Sequence, residues 1–118
     1  MNRVTMFMAS ESIRKDVLMA SITENTKELI EFWECDPSGN YKKSGSFFTD
    51  EFGADACEEA FDLSNNPARQ SERLLVQGKT KSLSVGDVCR VDLNGKYSLE
   101  ETKFYMCANI GWVQLDEI

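Results

Sequence analysis

Two groups of side chains in this chain have the types and spacing to do chemistry. The stretch KSLSVGDV sets Ser82 and Ser84 close to Asp87, two hydroxyls and a carboxylate that would suit a serine nucleophile with an acidic partner. A serine nucleophile needs a base to take its proton. The chain contains no histidine, so neither a Ser-His-Asp nor a Cys-His pair can form, and Lys81 would need a strongly depressed pKa to serve instead. Turn chemistry accounts for every residue of the stretch without catalysis. Hydroxyls cap exposed backbone groups, Leu83 and Val85 enter the core, and Gly86-Asp87 aims Val88 along a strand. No catalytic residue and no cofactor is therefore expected.

The second group is acidic. On a helix advancing about 100° per residue, Asp50, Glu51, Asp55, Glu58, Glu59 and Asp62 share one half of the circumference, while Phe52, Ala56, Cys57, Ala60, Phe61 and Leu63 fall almost entirely on the other. No Lys or Arg stands between Lys43 and Arg69, so like charges repel where opposite-charge pairs would have stabilised the helix. A solvated face is the bland explanation. An acidic surface that imitates DNA phosphates or docks on a basic groove explains the tolerated repulsion, because charge complementarity steers and selects partners. Binding of a divalent metal is the weaker reading, since a convex helix face spreads its carboxylates instead of converging them.

Cys35, Cys57, Cys89 and Cys107 include no C-x-x-C pair. They read as reduced, mostly buried thiols and not as a disulfide framework or zinc site. Trp33 and Trp112 are expected in the core, because no basic cluster accompanies them to make a stacking platform.

The elements that must position these groups follow from pattern. RVTMFMA alternates as a first strand, with Val4, Met6 and Met8 on one side and Thr5 and Phe7 on the other. SESIRKDVLMASI predicts a helix capped by Ser10 or Ser12, with Ile13, Val17 and Ala20 in line and Leu18 and Ile22 pointing elsewhere. KELIEFWECDPSG reads as a strand in which Leu29, Glu31, Trp33 and Cys35 alternate with their neighbours before a turn at Asp36-Pro37-Ser38-Gly39. A helix from Thr23 to Glu34 is the competing pattern. The acidic helix is expected from a Thr49 N-cap to a stop at Asn65-Asn66-Pro67. ARQSERLLVQGKTK reads as a connection with a short helical turn at most. Cys89, Val91 and Leu93 alternate with Val88, Arg90 and Asp92 in a half-buried strand. Asn94-Gly95 marks a turn, and KFYMCANIGWVQL supplies one or two further strands bent at Gly111.

The expected fold class is α+β, a small antiparallel sheet packed against one or two helices. At 118 residues a single domain over 1–118 is expected, with a strand/helix part at 1–45, the acidic helix at 49–65 and a β part at 82–115. Net charge is −7. Its excess sits in residues 46–78, which carry seven acids against two bases. That balance argues against sequence-independent nucleic-acid binding, which requires Lys and Arg on phosphates. No apolar run is long enough to cross a bilayer and the first residues lack the apolar core of a secretory signal, so a cytoplasmic protein without a membrane partner is expected.

EEAFDLSNNPARQSER, KSLSVGDVCRVD and YMCANIGWVQL together resemble a group of small uncharacterised proteins of phages, plasmids and some bacteria. More loosely, they are similar to YodL-like domains. The resemblance runs from about Glu58 to Leu115, and LNGKYSLEET departs from it where a short turn is more usual. It implies an architecture and a habitat, a mobile genetic element in a bacterial cytoplasm, and no site residue. The expected function is that of a non-enzymatic accessory protein, a host-takeover or anti-defence factor, whose acidic face Asp50–Asp62 binds a host protein with a basic surface. The rival is a nucleic-acid-associated or adaptor β module working through the Trp112 region and the Lys79, Lys81 and Arg90 edge. A small enzyme without histidine is the third class.

Overall fold

A computed structural model describes residues 1–79 and 81–115. Its frame is an antiparallel sheet of β1 (Asn2–Ala9), β2 (Tyr41–Thr49), β3 (Gln77–Gly78), β4 (Val88–Asp92), β5 (Lys103–Cys107) and β6 (Trp112–Leu115). The order across the sheet is β3-β2-β1-β4-β5-β6. Helices α1 (Glu11–Ile22), α2 (Thr26–Cys35), one-turn α3 (Pro37–Asn40) and α4 (Gly53–Asn65) complete the α+β fold.

Both faces of the sheet are buried, because its strands carry apolar residues at odd and even positions alike. Val4, Met6, Cys89 and Val91 pack with Ala56, Cys57, Ala60 and Leu63 of α4. On the other face Val88 and Met106 pack with Ile13, Val17 and Ala20 of α1 and with Leu29 and Trp33 of α2. The alternation of Val4, Met6 and Met8 against Thr5 and Phe7 thus separates two cores. Strand β4, expected to be half-buried, has Val88 and Asp92 as deeply buried as Cys89 and Val91. It lies between β1 and β5, and only Arg90 among its residues is partly exposed.

Helix α1 runs as expected, with Ser10 in the N-cap position and Ile13, Val17 and Ala20 as its buried residues. The segment expected as a strand from Lys27 is instead α2. Asn25 starts it, its side chain accepting from the Glu28 N–H at 3.2 Å. Leu29 and Trp33, one turn apart, are its buried residues, while Glu31 and Cys35 are exposed. Residues at i and i+4 share a helix face just as i and i+2 share a strand face, so Leu29 and Trp33 satisfy both patterns. Asn25 decides between them. Trp33 then meets Phe7 and Tyr41 edge-on, with ring centroids 5.8 and 5.2 Å away.

Two features differ from expectation. Thr49 ends β2, and α4 begins only at Gly53, with Phe52 extended in the N-cap position. Thr49 Oγ1 accepts from the Glu51 N–H and Asn2 Nδ2 donates to the Glu51 carbonyl, which fixes a turn before the helix. At the other end α4 stops at Asn65, where a stop is expected, with Asn66 extended at φ −78° and Pro67 next. The connection expected to hold a short helical turn at most carries two 3-10 turns over Pro67–Leu75, kinked at Arg69. Asn94 and Gly95 do turn the chain with φ of 57° and 75°, and β5 and β6 are two strands. All four thiols are free, with Cys57, Cys89 and Cys107 buried and Cys35 exposed. No helix among the described residues is long and apolar enough to cross a membrane.

Candidate partner-binding surface

The six acids separate into three sets once the chain is folded. Asp50 and Glu51 lie in the turn before α4, and Asp55 sits in its first turn; all three are exposed. Among the described residues none of the three forms an ion pair. Glu58 Oε1 accepts from Trp112 Nε1 at 2.7 Å, tying the middle of α4 to β6. Glu59 and Asp62 share one cation.

That cation is Arg69. The turn at Asn66-Pro67 reverses the chain after α4 and lays the 3-10 segment along it, so the Arg69 guanidinium reaches Glu59, Asp62 at 2.9 Å and Glu72 at 3.0 Å. Its bonds to Glu72 and Glu59 hold it more firmly protonated than a free arginine. Those to Asp62 and Glu72 keep both carboxyls below their ordinary range. Arg73 fastens the same segment through Leu63 O at 2.9 Å and Asn66 O at 3.0 Å. The acidic face is therefore partly neutralised by a base that lies outside the helix. Replacing Arg69 with Met is expected to lower the melting temperature by only about 2–4 °C at low salt, with the loss shrinking in 0.5 M NaCl, because exposed ion pairs are weak and screened. Thermal melts at two salt concentrations measure this.

A groove of about 370 Å³ opens beside the cluster. Met1, Phe47, Phe48, Leu63 and Leu75 form its apolar lining, and Glu59 and Glu72 line it together with Arg69, the cation they share. Leu75 is 79% exposed and Phe48 51% exposed, a large apolar surface for one small site. The pattern of the acidic helix pointed to this region. The groove itself was hidden, because it needs Phe47 and Phe48 from β2 and Leu75 from the 3-10 segment, far apart in sequence.

The KSLSVGDV stretch is bound into the fold through Ser82, Leu83, Ser84, Gly86 and Asp87. Ser82 Oγ donates to Ser64 O at 3.2 Å, and the Leu83 N–H donates to Ser64 Oγ at 3.1 Å. Buried Asp87 accepts from Ala9 N at 3.0 Å, Ser84 N at 2.9 Å and Ser84 Oγ at 3.2 Å. Burial nonetheless raises its pKa above the usual aspartate value, those hydrogen bonds offsetting only part of the shift. Gly86 turns at φ +96°, and its carbonyl accepts from Tyr41 OH at 3.0 Å. Ser84 directs its proton at Asp87, whose carboxylate also accepts from two backbone N–H groups, so the pair braces the turn against the end of β1.

The structure does not bring Lys79, Lys81 and Arg90 together as one basic edge. Lys79 follows β3, Arg90 lies on β4, and β2 and β1 stand between those strands. Arg90 is also engaged, with Asp92 at 3.2 Å and the rings of Phe7 and Tyr97 beneath it. Trp33 and Trp112 sit in separate clusters on opposite faces of the sheet and form no shared platform. Among the described residues no group of three or more His, Cys, Asp or Glu could hold a metal ion. No family model, no curated protein and no solved structure matches the chain.

Proposed function

We propose that this chain is a non-enzymatic accessory protein of a phage or mobile element that binds a host protein with a basic surface. The observation that carries the reading is the groove beside α4, where exposed Phe48 and Leu75 are framed by Glu59 and Glu72. A basic partner segment with an apolar anchor fits that chemistry, its hydrocarbon filling the groove and its cations drawn by the carboxylate charge that Arg69, shared among Glu59, Asp62 and Glu72, leaves unbalanced. Asp50, Glu51 and Asp55 extend the negative field along the same part of the chain, and net charge −7 supplies long-range attraction. The resemblance of Glu58–Leu115 to phage and plasmid proteins supports the setting.

Reversing Asp50, Glu51 and Asp55 to Lys together should leave the fold intact, since all three are exposed and unpaired among the described residues. It should weaken partner capture at least about tenfold. Leu75→Asp should do the same through the groove. Circular dichroism checks folding, and affinity capture from host lysate at two salt concentrations checks binding. Partner capture that is indifferent to salt, to the triple reversal and to Leu75→Asp would remove this surface from consideration.

A further inference from the structure

A second cavity, of about 470 Å³, lies between α1 and the KSLSVGDV turn, well away in sequence from the acidic groove. Its walls are held in a fixed relation. Asp87 bonds the backbone of Ala9 immediately before α1, and Gly86 packs so closely on Val17 that an added Cβ would stand 2.6 Å from Val17 Cγ1. The cleft is thus built from two braced elements. Arg14 and Lys81 bring cationic heads to it, and Val17, Leu18 and Val85 give it apolar surface.

The donor inventory of the lining narrows what would fit. One Arg14 N–H is used on Ala9 O at 3.2 Å and its charge also acts on Asp87, and the remaining N–H groups are those it can offer a ligand. Lys81 is exposed and forms no ion pair among the described residues. The hydroxyls of Ser82 and Ser84 both donate inward, to Ser64 O and to Asp87, so what they can offer a ligand is lone pairs. Asp87 also lines the cavity, but its oxygens already accept from Ala9 and Ser84. The cleft therefore presents two cations, one of them held by Ala9, with hydroxyl acceptors and a hydrocarbon wall in a space of ordinary small-ligand size.

We propose that this cleft binds a small organic anion whose carboxylate or phosphate head meets Arg14 and Lys81. Its hydrocarbon body lies on Val17, Leu18 and Val85, and an N–H or O–H beside the head donates to Ser82 or Ser84. The site is independent of the protein-binding groove and stands or falls without it.

The test titrates the ¹⁵N-labelled protein by NMR with four probes: N-acetylleucine, its uncharged analogue N-acetylleucinamide, phenyl phosphate and inorganic phosphate. Saturable shifts at Val17, Leu18, Ser84 and Val85 are expected with N-acetylleucine or phenyl phosphate, and the tighter of the two identifies the head group. Binding should be at least about tenfold tighter than for N-acetylleucinamide, because hydrogen bonds to a charged head are the strong ones. The Arg14→Gln/Lys81→Gln double variant should lose that advantage, and Lys81→Gln alone should lose part of it without disturbing the Arg14 bond to Ala9. Equal binding of the neutral amide, equal binding by the double variant, equal binding of inorganic phosphate alone, or no saturable shift by about 10 mM, beyond the range of useful small-ligand affinity, would each overturn the proposal.

Discussion

Asp87→Ala is expected to cost roughly 3 kcal/mol of stability in urea unfolding at neutral pH, near the upper end for a single polar side chain. The truncation leaves the buried Ala9 N–H without its acceptor and releases both the N–H and the hydroxyl of Ser84. Those bonds join the end of β1 to the turn that starts β4, so their loss reaches across the middle of the sheet. Asp87→Asn keeps one acceptor oxygen and turns an NH₂ toward the remaining donors, and should recover part of the loss. The pH dependence has a definite sign. Burial raises the folded carboxyl above the ordinary aspartate value of 3.8, so between that value and the folded pKa the native state holds the proton more tightly than the unfolded chain. The contribution of this group is therefore fully present below about 3.8 and is lost as pH rises through the folded pKa. The stability of the native protein relative to Asp87→Asn should accordingly fall on going from acid toward neutral pH. A difference that is flat or rises would contradict the burial of this carboxyl.

Gly86→Ala should be comparably damaging, on the order of 2–4 kcal/mol, through two separate effects. A residue with a Cβ is strained at φ +96°. The new methyl would also stand 2.6 Å from Val17 Cγ1 and 3.3 Å from Leu29 Cδ2, pushing α1 and α2 off the sheet. Pairing the change with Val17→Ala should relieve the overlap and leave the backbone strain, so the double variant should unfold less readily than additivity of the two single changes predicts. Chemical denaturation of the four proteins measures that coupling. Simple additivity would show that α1 does not bear on the turn as described.

These two residues mark how far the sequence could be read. Gly86-Asp87 announced a turn by type alone, and the turn stands where it was expected; that Asp87 reaches Ala9 was not visible, because nothing local links residues 78 positions apart. Strand β1, helix α1, the Asn94-Gly95 turn and the α+β class were legible because each rests on short-range pattern. Helix α2 was not legible from its own pattern, because Leu29 and Trp33 satisfy both periods and the deciding signal, Asn25 as a cap, precedes the alternating stretch. The acidic helix was legible as an amphipathic element but too long by a turn at its start. Gly53 at φ +52° separates Asp50 and Glu51 from the helical run. The candidate site was half legible. Charge located it, whereas the partner of Glu59 and Asp62 was concealed by the turn that brings Arg69 back.

The position of β1 has a consequence for how the chain acquires its structure. The strand can pair with β2 through a connection of some thirty residues, but its other edge finds β4 only when residues 88–92 are available. Until then Val4, Met6, Thr5 and Phe7 belong to a sheet with one raw edge, and neither core can close. Assembly is thus gated by a long-range closure, which in general slows folding and prolongs exposure of sticky intermediates. On a ribosome, β1 would emerge well before residues 88–92, which supply its second neighbour.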